Sequence, residues 1–541
     1  MMSPVMFHKS MGKLFLVILL LQSYDHAFTS ITSDHDLYGN AEIPEEAYEE
    51  DRLHLPSAVG NGPPNVLSIG ASGPIVIPEA DFLRKLSHFS RERIPRRRNA
   101  EHGNGAFGHF TCGDTSIKYL TTAAIFSEYG KKTPVMVRFV AATTVGGGET
   151  DRGFFSMSVK FYTDKGNFDL TSTSPPIFST NEPIRIMNLL HARQEGFNAS
   201  IDYATGAPET IVVPIVFFSD TGTPASWRRM PSHYPSTYKL RNKDGDFIYV
   251  RFKFVPELEF KYLDDAEMAR LRGIIPDYIS RDLYTAIERG EYPRWQLRAQ
   301  LITREAAKKA SFNVFDPSKI WDEKDYPSVF LGELELNKNI DNHFSQVEQI
   351  AFDPSSIIPG IEHGPDRNLQ GRVFAYHDAQ SYRLGVNYRS LGINRARKGQ
   401  KNPSAQAGLC FQPDDSGEST NDGTNVMEEG LNNFSSTMKS LIRRLYNISY
   451  EKDNYSHNKL WNSYCEDEKK RLLTRLSIAL AHADALFADN FVNEVFRINR
   501  ILGARLTLAV EEGREVLQAR NQEEKFLQTN VTSTCSENDA I

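Results

Sequence analysis

Arg372 and Tyr376 stand four residues apart in the stretch Leu369-Gln370-Gly371-Arg372-Val373-Phe374-Ala375-Tyr376. On a helix that spacing puts both side chains on one face. A cation beside a phenol favours the phenolate, and a phenolate is a hard anionic ligand suited to ferric iron. The bland alternative is an ordinary contact between neighbours on a helix. A second concentration of charge, Arg96-Arg97-Arg98, reads on its own as a solvated basic cluster. Four cysteines, Cys112, Cys410, Cys465 and Cys535, contain no Cys-x-x-Cys pair. That excludes a zinc site of that type and a disulfide framework. One bridge stays open, and the sequence does not fix its pairing.

The chain that must position these residues has 541 residues, 40% hydrophobic and 24% charged, the balance of a globular protein of two or three domains. A formal net charge of −7 argues against coating nucleic acid or an anionic membrane. Lys9 and Lys13 precede an apolar run over 14–21, and the small residues Ala27 and Ser30 follow, so residues 1–30 read as a signal peptide. The run is too short to span a bilayer, and no other segment qualifies. Five N-x-S/T sequons, at Asn198, Asn433, Asn447, Asn454 and Asn530, agree with a secreted glycoprotein. Residues 31–84 form an acidic, polar N-terminal arm with Glu45, Glu46, Glu49, Glu50 and Asp51 clustered. Residues 85–340 carry strand-like runs at 135–140, 157–162, 212–218 and 249–254, with turn signals such as Lys165-Gly166-Asn167 between them. This predicts an antiparallel sheet or barrel with helical insertions. Residues 341–430 read as an extended wrapping segment with one short helix. Residues 431–520 read as helical, with Leu472, Leu476, Ala479, Leu480 and Ala483 on one face and a second periodic run over 487–508. Residues 521–541 read as a mobile tail.

The segment around Tyr376 resembles the proximal helix of the catalase family, and the likeness continues through Tyr382-Arg383-Leu384-Gly385 and Asn387-Tyr388. Phe89-Ser90-Arg91-Glu92-Arg93-Ile94-Pro95, Gly103-Asn104-Gly105-Ala106-Phe107-Gly108, Gly166-Asn167-Phe168-Asp169-Leu170 and Val347-Glu348-Gln349-Ile350-Ala351-Phe352-Asp353-Pro354 are similar to family segments and keep the family order. The resemblance implies an α+β catalase fold: an eight-stranded antiparallel barrel with an N-terminal arm, a wrapping segment carrying the haem-ligand helix, and a C-terminal helical domain. It further implies haem b, with Tyr376 as the iron ligand and Arg372 activating it. Arg97, Arg138 and Arg383 would pair with the haem propionates, and Phe178 would lie near the distal face. Propionate pairing is sensible chemistry, because a partly buried carboxylate needs a charged, bidentate partner.

On the distal side the sequence departs from the family. Catalases use a distal histidine as the proton shuttle, a serine that bonds it and an asparagine that orients peroxide. Counting from Pro95 puts the histidine position on Ala100. The serine position falls on Val140, and the asparagine position on Thr173. His102 is the candidate rescue base, though its bland reading is a histidine exposed to solvent or supporting its neighbours from behind; His109 is a poorer candidate. Asn99 and Ile186 also depart from the family. Some catalases bind NADPH through a histidine, an arginine and a lysine, and the matching positions here are Val212, Thr221 and Val255, so NADPH is not expected.

The expected function is a secreted haem protein of the catalase family with hydrogen-peroxide dismutation reduced or lost. Three alternatives accompany it: an active secreted catalase relying on His102 or an ordered water, a haem enzyme of organic hydroperoxides suited to an apolar pocket, and a non-enzymatic haem store or ligand sensor. The resemblance also implies a homotetramer, with a small peroxide or hydroperoxide as ligand and no nucleic-acid partner.

Overall fold

The computed structural model describes residues 67–69, 80–92, 97, 100–114, 116–142, 148–396, 442–444 and 455–538, with the backbone alone at 67–69, 80–82, 442–444, 455, 521 and 523–538. The expected signal peptide, most of the arm, the end of the wrapping segment and the sequon asparagines Asn433, Asn447 and Asn454 lie outside the described residues.

Eight strands pair antiparallel in chain order: β1 (Gly103–Cys112), β2 (Lys132–Ala142), β3 (Phe154–Thr163), β4 (Gly166–Thr173), β5 (Ser232–Arg241), β6 (Phe247–Pro256), β7 (Arg294–Ile302) and β8 (Ser328–Asn339). β8 returns to β1, which closes the barrel and leaves none of the eight with a free edge. Period-two alternation decides what fills it. Val137, Phe139, Val159, Phe161, Phe168 and Leu170 point inward, and the rings interlock, Phe139 on Trp227 at 5.2 Å and Phe161 on Phe168 at 5.6 Å. Gly166, at φ 111°, makes the tight turn from β3 to β4 that the Lys165-Gly166-Asn167 signal predicts. The outward positions of β2, β3 and β4, among them Arg138, Ser158 and Thr171, are left to face whatever covers the barrel.

Helices supply that cover. α1 (Ala80–Arg91), α2 (Pro183–Glu195) and α5 (Arg367–Leu384) meet through Leu86, Ile184, Met187 and Phe374. α3 (Phe197–Gly206) and α4 (Val212–Phe218) pack against the C-terminal helices α6 (Tyr455–Ser463), α7 (Glu466–His482), α8 (Ala485–Ile498) and α9 (Arg500–Asn538). Three expectations change. The apolar run 212–218 is the helix α4, not a strand. A short β-branched run carries no period that separates the two states, and burial of Val212, Ile215, Val216 and Phe218 among helices settles it. The short helix of the wrapping segment is 18 residues long. Helix α9 continues past residue 520 to Asn538, through the expected tail. The periodic run over 487–508 divides at Asn499, whose φ of −144° is extended, into α8 and α9. Cys112 and Cys465 are free thiols. Cys410 and the side chain of Cys535 lie outside the described residues. No described helix is long and apolar enough to cross a membrane.

Candidate active site: a tyrosine helix over the outer face of the barrel

Helix α5 is fixed at both ends. Asp366 caps its N-terminus by accepting from the Leu369 N–H at 2.9 Å, and its other carboxylate oxygen accepts from the Thr237 N–H on β5 at 3.1 Å. Burial pushes this carboxyl up to about 6, against the backbone bonds and Arg251 that favour its charge. Gly385, at φ 87°, ends the helix in a conformation that costs glycine little. Between these ends Gly371 lies against Pro183 of α2, where an added Cβ would meet the proline ring at 2.4 Å. α1 crosses the far end, with the Arg91 fork on Asp378 at 2.8 and 3.2 Å.

Arg372 and Tyr376 share a face as their spacing predicts, with Arg372 Nη2 donating to the Tyr376 hydroxyl at 3.4 Å. Arg372 also reaches the barrel, donating to Thr171 Oγ1 on β4 at 2.5 Å and to Ser236 Oγ on β5 at 3.3 Å. Burial alone would lower its basicity, but the phenols of Tyr376 and Tyr234 outweigh it and hold the guanidinium above its ordinary value. The ring of Phe178 stands 5.2 Å from the same guanidinium.

Arg97, Arg138 and Arg383 come together from three distant segments. Arg97 Nη2 donates to the carbonyls of Val347, Glu348 and Ile350 at 2.9–3.0 Å, and Arg383 donates to the carbonyls of Glu348 and Ile350. Arg138, 4% exposed, donates to the carbonyls of Ala100 at 3.1 Å and Glu101 at 2.8 Å, and its buried Nε has no partner. Burial and then the neighbouring cations hold Arg138 well below its ordinary value, and burial and then Arg97 push Arg383 down to about 9. One carboxylate, Glu348, pairs with Arg97 at 2.9 Å. The cluster thus holds three crowded cations, one carboxylate and an orphaned donor, and a buried cation of this kind is at its most stable beside a carboxylate.

The sheet register fixes the opposite wall. Across β1–β5, Gly103 pairs with Val140, Val140 with Ser156, Ser156 with Thr173, and Thr173 with His233. The adjacent outer row is Gly105, Arg138, Ser158 and Thr171. Val140 and Thr173 therefore lie in one row, and Ala100 precedes its first member by three residues. Ala100 adopts φ 58°, the only described non-glycine residue in the left-handed region. His102 is exposed, and His109 lies toward the other end of β1 beside Glu335 at 4.0 Å. Ser156, Ser158, Thr171 and Ser236 escaped attention in the sequence. Counting by twos along β4 from Asp169 would have put Thr171 on the outer face, but only the register aligns Ser158 with Arg138 and Ser156 with Val140 and Thr173.

Compared with known proteins, the catalase family model matches residues 58–427. The chain belongs to the catalase family. A catalase of Ascaris suum is 35% identical over 481 residues, covering 85% of this chain and 87% of its own. Catalase A of Pseudomonas putida is 39% identical over 344 residues, 62% of this chain and 71% of its own. Among solved structures, a fungal catalase superposes with a TM-score of 0.67 at 30% identity, covering 81% of this chain and 92% of its own. A bacterial catalase gives 0.68 at 29% identity, covering 87% and 99%. The closed eight-stranded barrel with its C-terminal helices is the catalase fold.

Proposed function

We propose that this catalase-family chain binds haem b with Tyr376 as the iron ligand, and that its dismutation of hydrogen peroxide is slow or lost. Arg372 would hold Tyr376 as the phenolate, and Arg97, Arg138 and Arg383 would hold the two propionates. The donor set fits the group: one phenol beside a cation, and three cations short of anions. Haem in such a site supplies redox chemistry at a ferric centre with an open coordination position. The chain's own part in peroxide cleavage would be to move a proton between the two peroxide oxygens. The observation that carries the proposal is that the residues at the family's shuttle positions, Ala100, Val140 and Thr173, include no group able to take that proton. Loss of a positioned general base costs about 10²–10⁴-fold. His102, exposed to solvent, lends the active-catalase reading little support. The residues 1–30 and the exposed sequon Asn198 support passage through the secretory pathway, which deglycosylation of protein from a eukaryotic host would check.

Two measurements test the proposal. Purified protein reconstituted with haem should show the Soret band of a ferric tyrosinate haem; a colourless product sinks it. Oxygen release from hydrogen peroxide should be far below that of a family catalase measured alongside. A matching rate would refute the loss of dismutation, and His102→Ala would then tell whether that histidine is responsible.

A further inference from the structure

We infer that Ser156 is the hydrogen-bond donor facing a ligand opposite Tyr376, so that the pocket favours small ligands that accept a hydrogen bond. The inference rests on the proposal that Tyr376 holds haem iron.

Two outer rows of the barrel floor the space beside α5. Thr171, in the first, is bonded to Arg372, one turn from Tyr376 on the same helix. Thr173 and Ser156 lie in the next row, two residues further along their strands, which is about 7 Å at the rise of a β-strand. That row runs on to Val140 and Gly103, near Ala100. Ser156 thus stands on the Ala100 side of the space, with Tyr376 on the other.

Within this row the supply of protons for hydrogen bonding is limited. Ala100 and Val140 have no polar side-chain atoms. Thr173 donates its one hydroxyl proton to the Pro175 carbonyl at 3.2 Å, so it can only accept. Ser156 is half-buried on a largely covered face, and its hydroxyl has no partner among the described residues. His233, at the end of the row, spends its ring proton on the Ser174 carbonyl at 2.7 Å, which leaves Ser156 as the row's free donor. A serine hydroxyl does not shuttle protons as an imidazole does, so it can hold a ligand without restoring rapid peroxide cleavage.

Fluoride is the probe, because a bound fluoride accepts a hydrogen bond strongly. The full chain reconstituted with haem is titrated with sodium fluoride, and binding is followed in the visible spectrum. Ser156→Ala and Ser156→Gly should each weaken fluoride about tenfold, the scale of one hydrogen bond. Ser156→Thr should retain the affinity. Ser158→Ala, in the other row, should leave it unchanged. A Ser156→Ala protein with a normal Soret band and wild-type fluoride affinity overturns this inference and leaves the haem proposal standing. An equal loss in Ser158→Ala overturns the assignment to Ser156. Wild-type protein without a Soret band overturns both.

Discussion

Tyr376 is half-buried and Arg372 is 6% exposed, so the phenol stays partly accessible while its cation is sealed behind it. Replacing the phenol should therefore remove the proposed iron ligand without opening the core. Tyr376→Phe is expected to lose the tyrosinate Soret signature and most bound haem while keeping the wild-type circular dichroism. Restoring polar groups opposite should have the reverse effect on chemistry. Ala100→His with Val140→Ser and Thr173→Asn should raise oxygen release from hydrogen peroxide about 10²-fold or more, if the missing base limits the rate. The backbone is suited to it, because φ 58° at position 100 is a conformation histidine tolerates better than most residues. Ala100→His alone should give a smaller gain, since its imidazole would face Val140 in place of an orienting hydroxyl.

Helix α5 places Tyr376, and its position is set by contacts on its own first turns. The Arg367–Glu182 ion pair at 3.0 Å, the Asn368 amide on the Thr180 carbonyl at 2.9 Å and the Gly371 contact with Pro183 all lie upstream of the tyrosine. Gly371 is the position least able to accept a side chain. Its helical φ suits alanine, so the whole penalty is steric: Gly371→Ala would force α5 and α2 apart by more than an ångström. Overpacking of this kind costs about 1–3 kcal/mol. The expected result is a lower urea midpoint together with weaker haem retention, because the shift lies one turn from the phenol. A lower midpoint with unchanged haem affinity would show that α5 is positioned by its C-terminal half, through Arg91 and Asp378.

Across the whole molecule, the C-terminal helices join the barrel flank through buried ions. Arg475 donates to Asp220 and to Asp265 at 2.8 Å, and Arg152 reaches Asp265 at 3.0 Å. Burial would raise the Asp265 carboxyl, but Arg152 and Arg475 prevail and hold it below its ordinary 3.8. Its folded form is thus favoured when charged, and that stability is lost as pH falls below about 4. Glu468 on the same joint behaves oppositely. Burial and then the Asp220 charge push it from 4.5 to about 7. Its contribution is full below 4.5 and is lost as pH rises through 7. Measured as unfolding midpoint against pH, Asp265→Asn should flatten the acid limb, and Glu468→Gln should remove the decline between pH 4.5 and 7. An unaltered profile in Glu468→Gln would mean that this carboxylate is solvated in solution.

The sequence by itself determined the barrel strands with alternating patterns, the face shared by Arg372 and Tyr376, and the membership that follows from ordered motifs. These are local properties: a period of two, a spacing of four, and short runs in series each survive without knowledge of the fold. Where the pattern was uninformative the reading failed, as at 212–218, whose run of apolar residues suits a buried helix as well as a strand. Tertiary structure alone decided the rest. Arg97, Arg138 and Arg383 crowd one another only because β2, α5 and the segment after α1 converge, which buries three cations together and leaves Arg138 and Arg383 below their ordinary basicity, through burial first and then their neighbours' charge. Ser156 is unremarkable in the chain, and only the β2–β3 and β3–β4 registers set it between Val140 and Thr173. A one-residue slip would turn it into the barrel interior, so its meaning is a property of the pairing and not of the residue.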